Sequence, residues 1–378
     1  MPLFMDFHKG LNVSIEEIKR FHIADETVQN KYGVKYHQFW VNEEEGTVFC
    51  LMEGPDKESC AAVHREAHGG VACSIVEVAV GFYKLFMGNS HLIEQGHVKY
   101  SNGTTDAGIR HLLVLNIEGG ALAKDRQFQA LKDPCQAREL TLSLISKYDG
   151  REVNRLPDDS FLAVFDSPEC AVRCGLRIQK ELLDKKSTPG DREWNIVFKI
   201  GLSSGQPVTE SGDFFSKATL LACRLCHVAS HDGFLISAKV QEYCNVQELS
   251  RDAARKGHWR ILTSREEDFL NSLYSFSEGR LSDESFTIDC LTRDIGMSRP
   301  QLYRKMILLT GKSPNDFIRD LRMEKAMSLI KKKAGNISEI ALEVGYNNPS
   351  YFAKCFQDRY GCTPSWFAHR GDVMLRTV

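Results

Sequence analysis

Nothing in this chain is apolar for long enough to cross a bilayer. The longest apolar run, around Val78 to Met87, covers ten residues and contains Lys84, whereas a spanning helix needs about 20. A secretory leader is lacking as well, since Met1 leads straight into an alternating strand pattern, so the expectation is a cytoplasmic protein without membrane partners. Twelve cysteines show no framework of paired spacings, which argues for reduced thiols and against a disulfide scaffold. Cys223 and Cys226 form the lone C-x-x-C, set inside the apolar helical pattern LLACRLCHVA. One such pair supplies half a zinc site, and core packing accounts for it better. Proline and glycine are sparse at joints such as Asn245 to Glu266, which leaves the relative orientation of neighbouring units open. At 378 residues, two or three domains are expected.

Net charge is nearly absent, at -2 overall, but it is unevenly spread. From Arg293 to Arg376 there are 15 Lys and Arg against 8 Asp and Glu, a net +7 that leaves -9 on the rest. A basic end on an acidic body is the footprint of phosphate contact. The same region carries one pattern twice: LTRDIGMSRPQLYRKMILLTGKSP from Leu291 to Pro314, and IALEVGYNNPSYFAKCFQDRYGCTP from Ile340 to Pro364. Each copy reads helix, Gly turn at Gly296 or Gly345, polar N-cap candidate at Ser298 or Asn347, then a second helix with Pro300 or Pro349 in its first turn. Ser298 and Gln301 also form an S-x-x-Q capping box. Between the copies, apolar residues at Phe317, Ile318, Leu321, Met323, Ala326, Leu329 and Ile330 have helical spacing. A rigid helix there would hold two recognition helices about 34 Å apart, ready for successive major grooves.

The stretch from about Arg265 to Arg370 resembles the DNA-binding domain of the arabinose-regulator (AraC/XylS) family of bacterial transcription regulators. That resemblance implies double-stranded DNA and RNA polymerase as partners. It assigns DNA contacts to Arg299, Gln301, Tyr303 and Arg304 in the first unit, and to Asn348, Ser350, Tyr351 and Lys354 in the second. The chemistry suits them, because Arg can fork onto guanine, Gln and Asn onto adenine, and Lys or Tyr can reach phosphate.

The first eighty residues alternate as strand, helix, strand, strand, helix, strand, the βαββαβ order of a ferredoxin-like sandwich whose helices share one sheet face. His64 and His68 lie one helical turn apart, while His22, Asp25 and Gln29 line a face of the first helix. His8 and His37 are further candidates on strands. Imidazole suits nickel, copper and zinc, and the alternative on spacing alone is an interhelix hydrogen-bond network. KYGVKYHQFWVNEEEGTVFCLMEGPDKESCAAVHREAHG resembles a small family of nickel-binding or nickel-responsive bacterial domains, often dimeric. The implied site is His22, Asp25, His64 and His68, holding Ni(II) or another transition metal.

The next unit alternates strands and helices again, with a helix expected from Pro134 to Tyr148. GREVNRLPDDSFLAVFDSPECAVRCGLRIQKEL, FKIGLSSGQPV and GDFFSKATLLACRLC resemble the class III adenylate and guanylate cyclase catalytic domain. Such an enzyme holds two Mg²⁺ on two carboxylates. By the resemblance Asp159 is one of them, but Asn116 stands at the other position. Arg224 matches the transition-state arginine, while Leu220 replaces the asparagine one turn earlier. Arg155 stands where a purine-reading lysine is usual, and Asp213 matches the adenine-contacting carboxylate. The expectation is a fold without turnover, kept either as a dimer scaffold or as a nucleotide sensor through Arg155, Asp159, Asp213 and Arg224.

The fold class expected is therefore α+β and multidomain. A ferredoxin-like domain spans 1–87 and a linker 88–107, followed by a cyclase-like α/β sandwich over 108–249, a linker over 250–264, and an all-α domain with two helix-turn-helix units over 265–370. The whole reads as a dimeric one-component transcription regulator, not an enzyme, with metal or nucleotide as effector. The competing readings are an active nucleotidyl cyclase with a DNA-binding appendage, and a metal-storage protein.

Overall fold

The computed structural model describes residues 1–11, 14–70, 72–88, 92–119, 129–155, 160–187, 194, 196–210, 214–249 and 258–369. The first unit runs β1 (Leu3–Lys9), α1 (Ile15–Val28), β2 (Lys35–Asn42), β3 (Thr47–Glu53), α2 (Lys57–Ala67), β4 (Ser74–Glu77). This is the expected βαββαβ order, in a sheet ordered β4-β1-β3-β2. Ser14 opens α1 through a capping box with Glu17, and Asp56 caps α2 by accepting from the Ser59 amide at 2.8 Å. Strand periodicity sends Phe4 to the helix side, where it packs with Ile18, Cys60 and Val63, while Met5 and Phe7 face the opposite way.

Residues 88–107 do not behave as the expected linker. After α3 (Val80–Met87) come β5 (Leu92–Glu94) and β6 (His97–Lys99), and β6 extends the first sheet by pairing parallel to β2 at Phe39 and His97. Asp106, also in this stretch, is fully buried and accepts from Trp40 Nε1 at 3.1 Å. The sequence signal missed was the short alternation in LIEQGHVK, which the polar and glycine content around it obscures.

The second unit runs β7 (Arg110–Gly119), α4 (Gln129–Lys147), β8 (Arg151–Arg155), β9 (Phe161–Phe165), α5 (Pro168–Lys186), β10 (Ile196–Gly205), α6 (Ser216–Val228), β11 (Gly233–Ile236), α7 (Ala238–Tyr243), α8 (Val246–Leu249) and β12 (His258–Ile261). Its sheet is ordered β12-β11-β10-β7-β9-β8. Helix α4 starts at Gln129, ahead of the expected Pro134, which lies inside it. Leu113 and Leu115 of β7 pack under Ala137 of α4 and Ala171 and Ile178 of α5. On the other face Leu112 and Val114 meet Ala218 and Ala222 of α6 together with Met5 and Phe49 of the first unit. The two sheets therefore share one core. Gly201 brings β10 against α6 so closely that a Cβ there would lie 2.3 Å from the Ala222 carbonyl and 2.4 Å from the Cys226 amide nitrogen. Cys226 is buried in that contact and donates its thiol to the Lys199 carbonyl at 3.2 Å.

The expected 250–264 linker is a second correction. Within it β12 pairs parallel to β11, and Thr263 opens α9 (Ser264–Glu278) through a capping box with Glu266. The third unit continues with α10 (Ile288–Ile295), α11 (Arg299–Thr310), α12 (Pro314–Lys331), α13 (Ile337–Glu343) and α14 (Pro349–Tyr360). Gly296 and Gly345 turn at φ +71° and +79°, the left-handed region that side chains rarely adopt. Phe317, Ile318 and Leu321 of α12 pack with Leu291 and Leu302, whereas Met323, Ala326 and Ile330 pack with Ile340 and Phe352. Helix α12 is thus the spine of both small cores. The first of these cores also includes Leu225 and Val228 of α6 and Leu235 of β11, which seats the all-α unit on the second sheet.

Candidate functional site

Helices α11 and α14 each bury one stripe and expose the other. Leu302, Met306 and Leu309 of α11, and Phe352, Cys355 and Phe356 of α14, face inward. All eight expected DNA-contacting residues are exposed: Arg299, Gln301, Tyr303, Arg304, Asn348, Ser350, Tyr351 and Lys354. Four of them already have local work, Tyr351 by packing on the Tyr346 ring with centroids 5.9 Å apart. Gln301 Oε1 accepts from the Ser298 amide at 3.1 Å, and Arg299 Nε donates to Asp289 at 2.5 Å. Asn348, and not the expected Asn347, is the N-cap of α14, accepting from the amides of Ser350 at 2.9 Å and Tyr351 at 3.1 Å. An Asn-Asn-Pro sequence permits either cap, and Pro349 at the first helical position decides it. Tyr303 and Arg304 project from the middle of α11 with no ion pair or hydrogen bond among the described residues. Helix α12, 18 residues long, separates the two units by about 27 Å of helical rise.

A cluster of titratable groups lies between the first sheet and its helices. Because β1 alternates, Asp6 and His8 share the helix-facing side with Phe4, directly beneath His64 of α2. His64 Nε2 is 2.5 Å from Asp6 Oδ2, and its Nδ1 is 3.2 Å from Asp25 Oδ1 and 3.1 Å from His68 Nε2. His68 Nε2 lies 3.3 Å from Asp25 Oδ1, and His8 Nε2 lies 3.3 Å from Asp6 Oδ2. Burial disfavours a charge on His64, yet the Asp6 and Asp25 carboxylates push its pKa up to about 10. Burial likewise opposes ionisation of Asp6, but His8 and His64 hold it well below the usual carboxylate range.

Two overlapping groups could take a cation: Asp6, His8, His64 and Asp25, His64, His68. Ligand bonds of about 2.0–2.1 Å put neighbouring donor atoms about 2.9 Å apart in the square-planar or octahedral geometry of nickel and about 3.3 Å apart in a tetrahedral one. All three edges of Asp25, His64 and His68 fall at 3.1 to 3.3 Å and fit that requirement. The 2.5 Å approach of Asp6 to His64 does not fit it, and suits instead a carboxylate that orients the ligating ring through its other nitrogen. Of the expected set, Asp25, His64 and His68 come together. His22 does not join them: it is buried against Phe39, ring centroids 5.1 Å apart, its Nε2 lies 3.6 Å from Glu26, and neither ring nitrogen has a hydrogen-bond partner among the described residues. His37 pairs with Glu53 at 3.4 Å, and Gln29 accepts from the Tyr36 amide at 2.7 Å. Asp6 was missed in the sequence, although its place two residues before His8 on an alternating strand was a usable signal.

In the second unit, Asn116 donates to Ser160 Oγ at 3.1 Å and stands across the ladder from Lys199. Leu220 is exposed. Arg224 is turned into the third unit, where Nη1 donates to Asn271 of α9 at 2.8 Å, Nη2 lies 3.4 Å from Glu278, and the guanidinium covers the Tyr274 ring at 5.0 Å. Asp159, Asp213 and the side chain of Arg155 lie outside the described residues.

Two protein families match parts of the chain: a helix-turn-helix domain over residues 291–370, and the nickel responsive protein SCO4226-like family over residues 4–78. Among curated relatives, histidine kinase P4 of Formosa agariphila is 33% identical over 109 residues, 29% of this chain and 8% of the kinase. The HTH-type transcriptional regulator MtrA of Neisseria gonorrhoeae is 32% identical over 89 residues, 24% of this chain and 30% of that regulator. The chain thus spans a minor part of either relative. An adenylate/guanylate cyclase/hydrolase structure from Silicibacter pomeroyi shares 25% identity with a TM-score of 0.31, over 39% of this chain and 82% of that one.

Proposed function

We propose that this protein is a sequence-specific DNA-binding transcription regulator of the AraC/XylS type, acting as a homodimer and carrying a metal-responsive N-terminal unit. The observation that carries this reading is the pair of helix-turn-helix units sharing the α12 spine, with every expected contact residue on an exposed face. The match of residues 291–370 to a helix-turn-helix domain supports it. Tyr303 and Arg304 on α11 and Lys354 on α14 read or grip DNA, while Gln301 and Asn348 also hold their helices open at the right residue. Arg304→Ala should relax sequence preference at a cost of about 1–3 kcal/mol. If competition binding instead shows equal weakening on all duplexes, Arg304 contacts the backbone.

In the N-terminal unit, Asp25, His64 and His68 would hold a divalent transition ion such as nickel, with Asp6 fixing the His64 ring. The family match over residues 4–78 supports that choice of metal. When bound, the ion supplies a fixed positive charge between α1 and α2. The second unit is read as a scaffold without turnover. Asn116 offers no charge for a dication, and Arg224 is committed to Asn271, Glu278 and Tyr274. A product assay with ATP and GTP tests this, and cyclic nucleotide formation would overturn it.

A further inference from the structure

A cleft of about 650 Å³ opens where the second sheet meets the helix-turn-helix unit, and neither of the sites above uses it. Its volume falls in the range of small-molecule pockets, about 300–1,000 Å³. Lys199 of β10, Arg260 of β12, Lys312 of the α11–α12 turn and Arg359 of α14 line it, and Asp320 is the one carboxylate among the described lining residues.

These cations are only partly compensated, since Glu324 adds its charge to the carboxylates near Lys312 and Arg359. Lys312 pairs with Asp320 at 2.6 Å, and Arg260 with Glu266 at 3.0 Å. Lys199 has a neutral acceptor, the His227 carbonyl at 3.0 Å. Arg359 approaches Glu118 and Asp320 at 3.9 and 4.0 Å, outside hydrogen-bond range, and its buried Nε has no acceptor among the described residues. Among the described residues the buried Nε of Arg260 has none either. Burial, and then the charges of Lys312 and Arg359, lower the pKa of Lys199, whereas Glu118, Asp320 and Glu324 outweigh burial and raise that of Arg359; the strain therefore centres on the Lys199 ammonium, which a bound anion would relieve. One rim is apolar: Leu308 is 76% exposed, and Trp259 lines the cleft as well.

We propose that this cleft binds a small phosphorylated organic molecule, its phosphoryl oxygens on Lys199, Lys312 and Arg359 and its organic body against Trp259 and Leu308. Two lysines supply point charges and the arginine a planar fork, a combination suited to phosphoryl oxygens. The residues come from both units, so an occupant bridges the second sheet to the C-terminal end of α11. Arg260 already reaches that end, with Nη1 3.4 Å from the Leu308 carbonyl. Occupancy therefore biases how α11 sits on the sheet, and on the proposed DNA-reading role it couples the ligand to operator affinity. Binding itself does not depend on that role.

Titration calorimetry on the full chain at fixed ionic strength, with pyrophosphate, ATP and citrate as probes, tests the proposal. Pyrophosphate and ATP should bind one per chain. Lys199→Met and Arg359→Met should each weaken binding about tenfold or more, and Lys199→Arg should retain it. Lys312→Gln, at a turn outside the core, should weaken binding even if the more buried variants fold poorly. Absence of binding would overturn the proposal, and so would citrate binding as tightly as pyrophosphate. ATP binding lost in Asp159→Asn but intact in Lys199→Met would place the nucleotide in the cyclase-like cleft instead. DNA affinity measured with and without pyrophosphate then tests the coupling separately.

Discussion

Replacing Arg110 with methionine should unlock the joint between the first two units. Arg110 is fully buried and donates to both oxygens of Asp106, at 2.9 and 2.7 Å. Its Nε lies 2.9 Å from Asp166, and it caps the end of α3 by donating to the carbonyls of Phe86 and Met87 at 3.1 Å each. Methionine keeps most of the stem but removes every donor. Asp166 retains Arg151 through two bonds of 2.7 Å, so it is not stranded. Asp106 keeps Trp40 Nε1 at 3.1 Å and the Gly108 amide at 2.8 Å, but loses its counter-charge in a fully buried position. Stranding one buried charge costs about 3–5 kcal/mol, and the donors that remain, Tyr100 among them, place the expectation near the lower end. Urea denaturation followed by hydrogen exchange of the α3 and β7 amides isolates this joint from the helix-turn-helix unit. Adding Asp106→Asn should recover part of the loss, because the stranded charge is gone. A loss below about 1 kcal/mol, the range of exposed pairs, or a double variant no better than Arg110→Met, would mean that Arg110 does not lock this joint.

Other expectations follow from single contacts. Gly201→Val places side-chain atoms where the Ala222 carbonyl already lies 2.3 Å from an ideal Cβ; overpacking costs of about 1–3 kcal/mol or more should lower the melting temperature, and an unchanged melt would mean α6 is not seated as described. His111 is buried against Ser204 Oγ at 2.7 Å, and burial, helped by Arg110, pushes its pKa down to about 3. The unfolded chain then takes up a proton that the folded one refuses, so stability is complete above pH 6.5 and falls by about 1.4 kcal/mol per unit below it. His111→Asn should flatten that slope between pH 6.5 and 4.5, and a parallel curve would count against it. In metal-stripped protein His64 carries a proton between Asp6 and Asp25, so uptake of nickel at pH 7 should release about one proton. Calorimetry in two buffers of different ionisation enthalpy measures this, and His64→Ala with His68→Ala should abolish stoichiometric uptake. Uptake that persists in the double variant would move the metal elsewhere.

The elements most visible in the sequence were those whose signal is local. The βαββαβ order, the duplicated Gly turns and the Ser298–Gln301 capping box all follow from spacing within a dozen residues, and the structure forms each of them. The i,i+4 pair of His64 and His68 was visible for the same reason. Features decided by tertiary packing were not visible. Residues 92–99 look like a polar connector until β2 offers an edge to pair with. The commitment of Arg224 to α9 depends on how the third unit docks onto α6, which no window of sequence encodes. His22 carries the residue type of a ligand on the right helix, yet it turns its ring onto Phe39, one helical turn from the Asp25 that does reach the cluster. The cleft of Lys199, Arg260, Lys312 and Arg359 draws on four separate elements and has no sequence signature.

On the proposed function, α11 and α14 read DNA together. Selection of bound duplexes from a randomised pool by the full chain, followed by footprinting on the enriched sequence, tests it most directly. An enriched site is expected, with two protected major-groove segments on one face about 10–10.5 base pairs apart and a preference at one segment that Arg304→Ala relaxes. Binding without enrichment, governed by salt alone, or protection of a single segment unaffected by substitutions in α14, would contradict it.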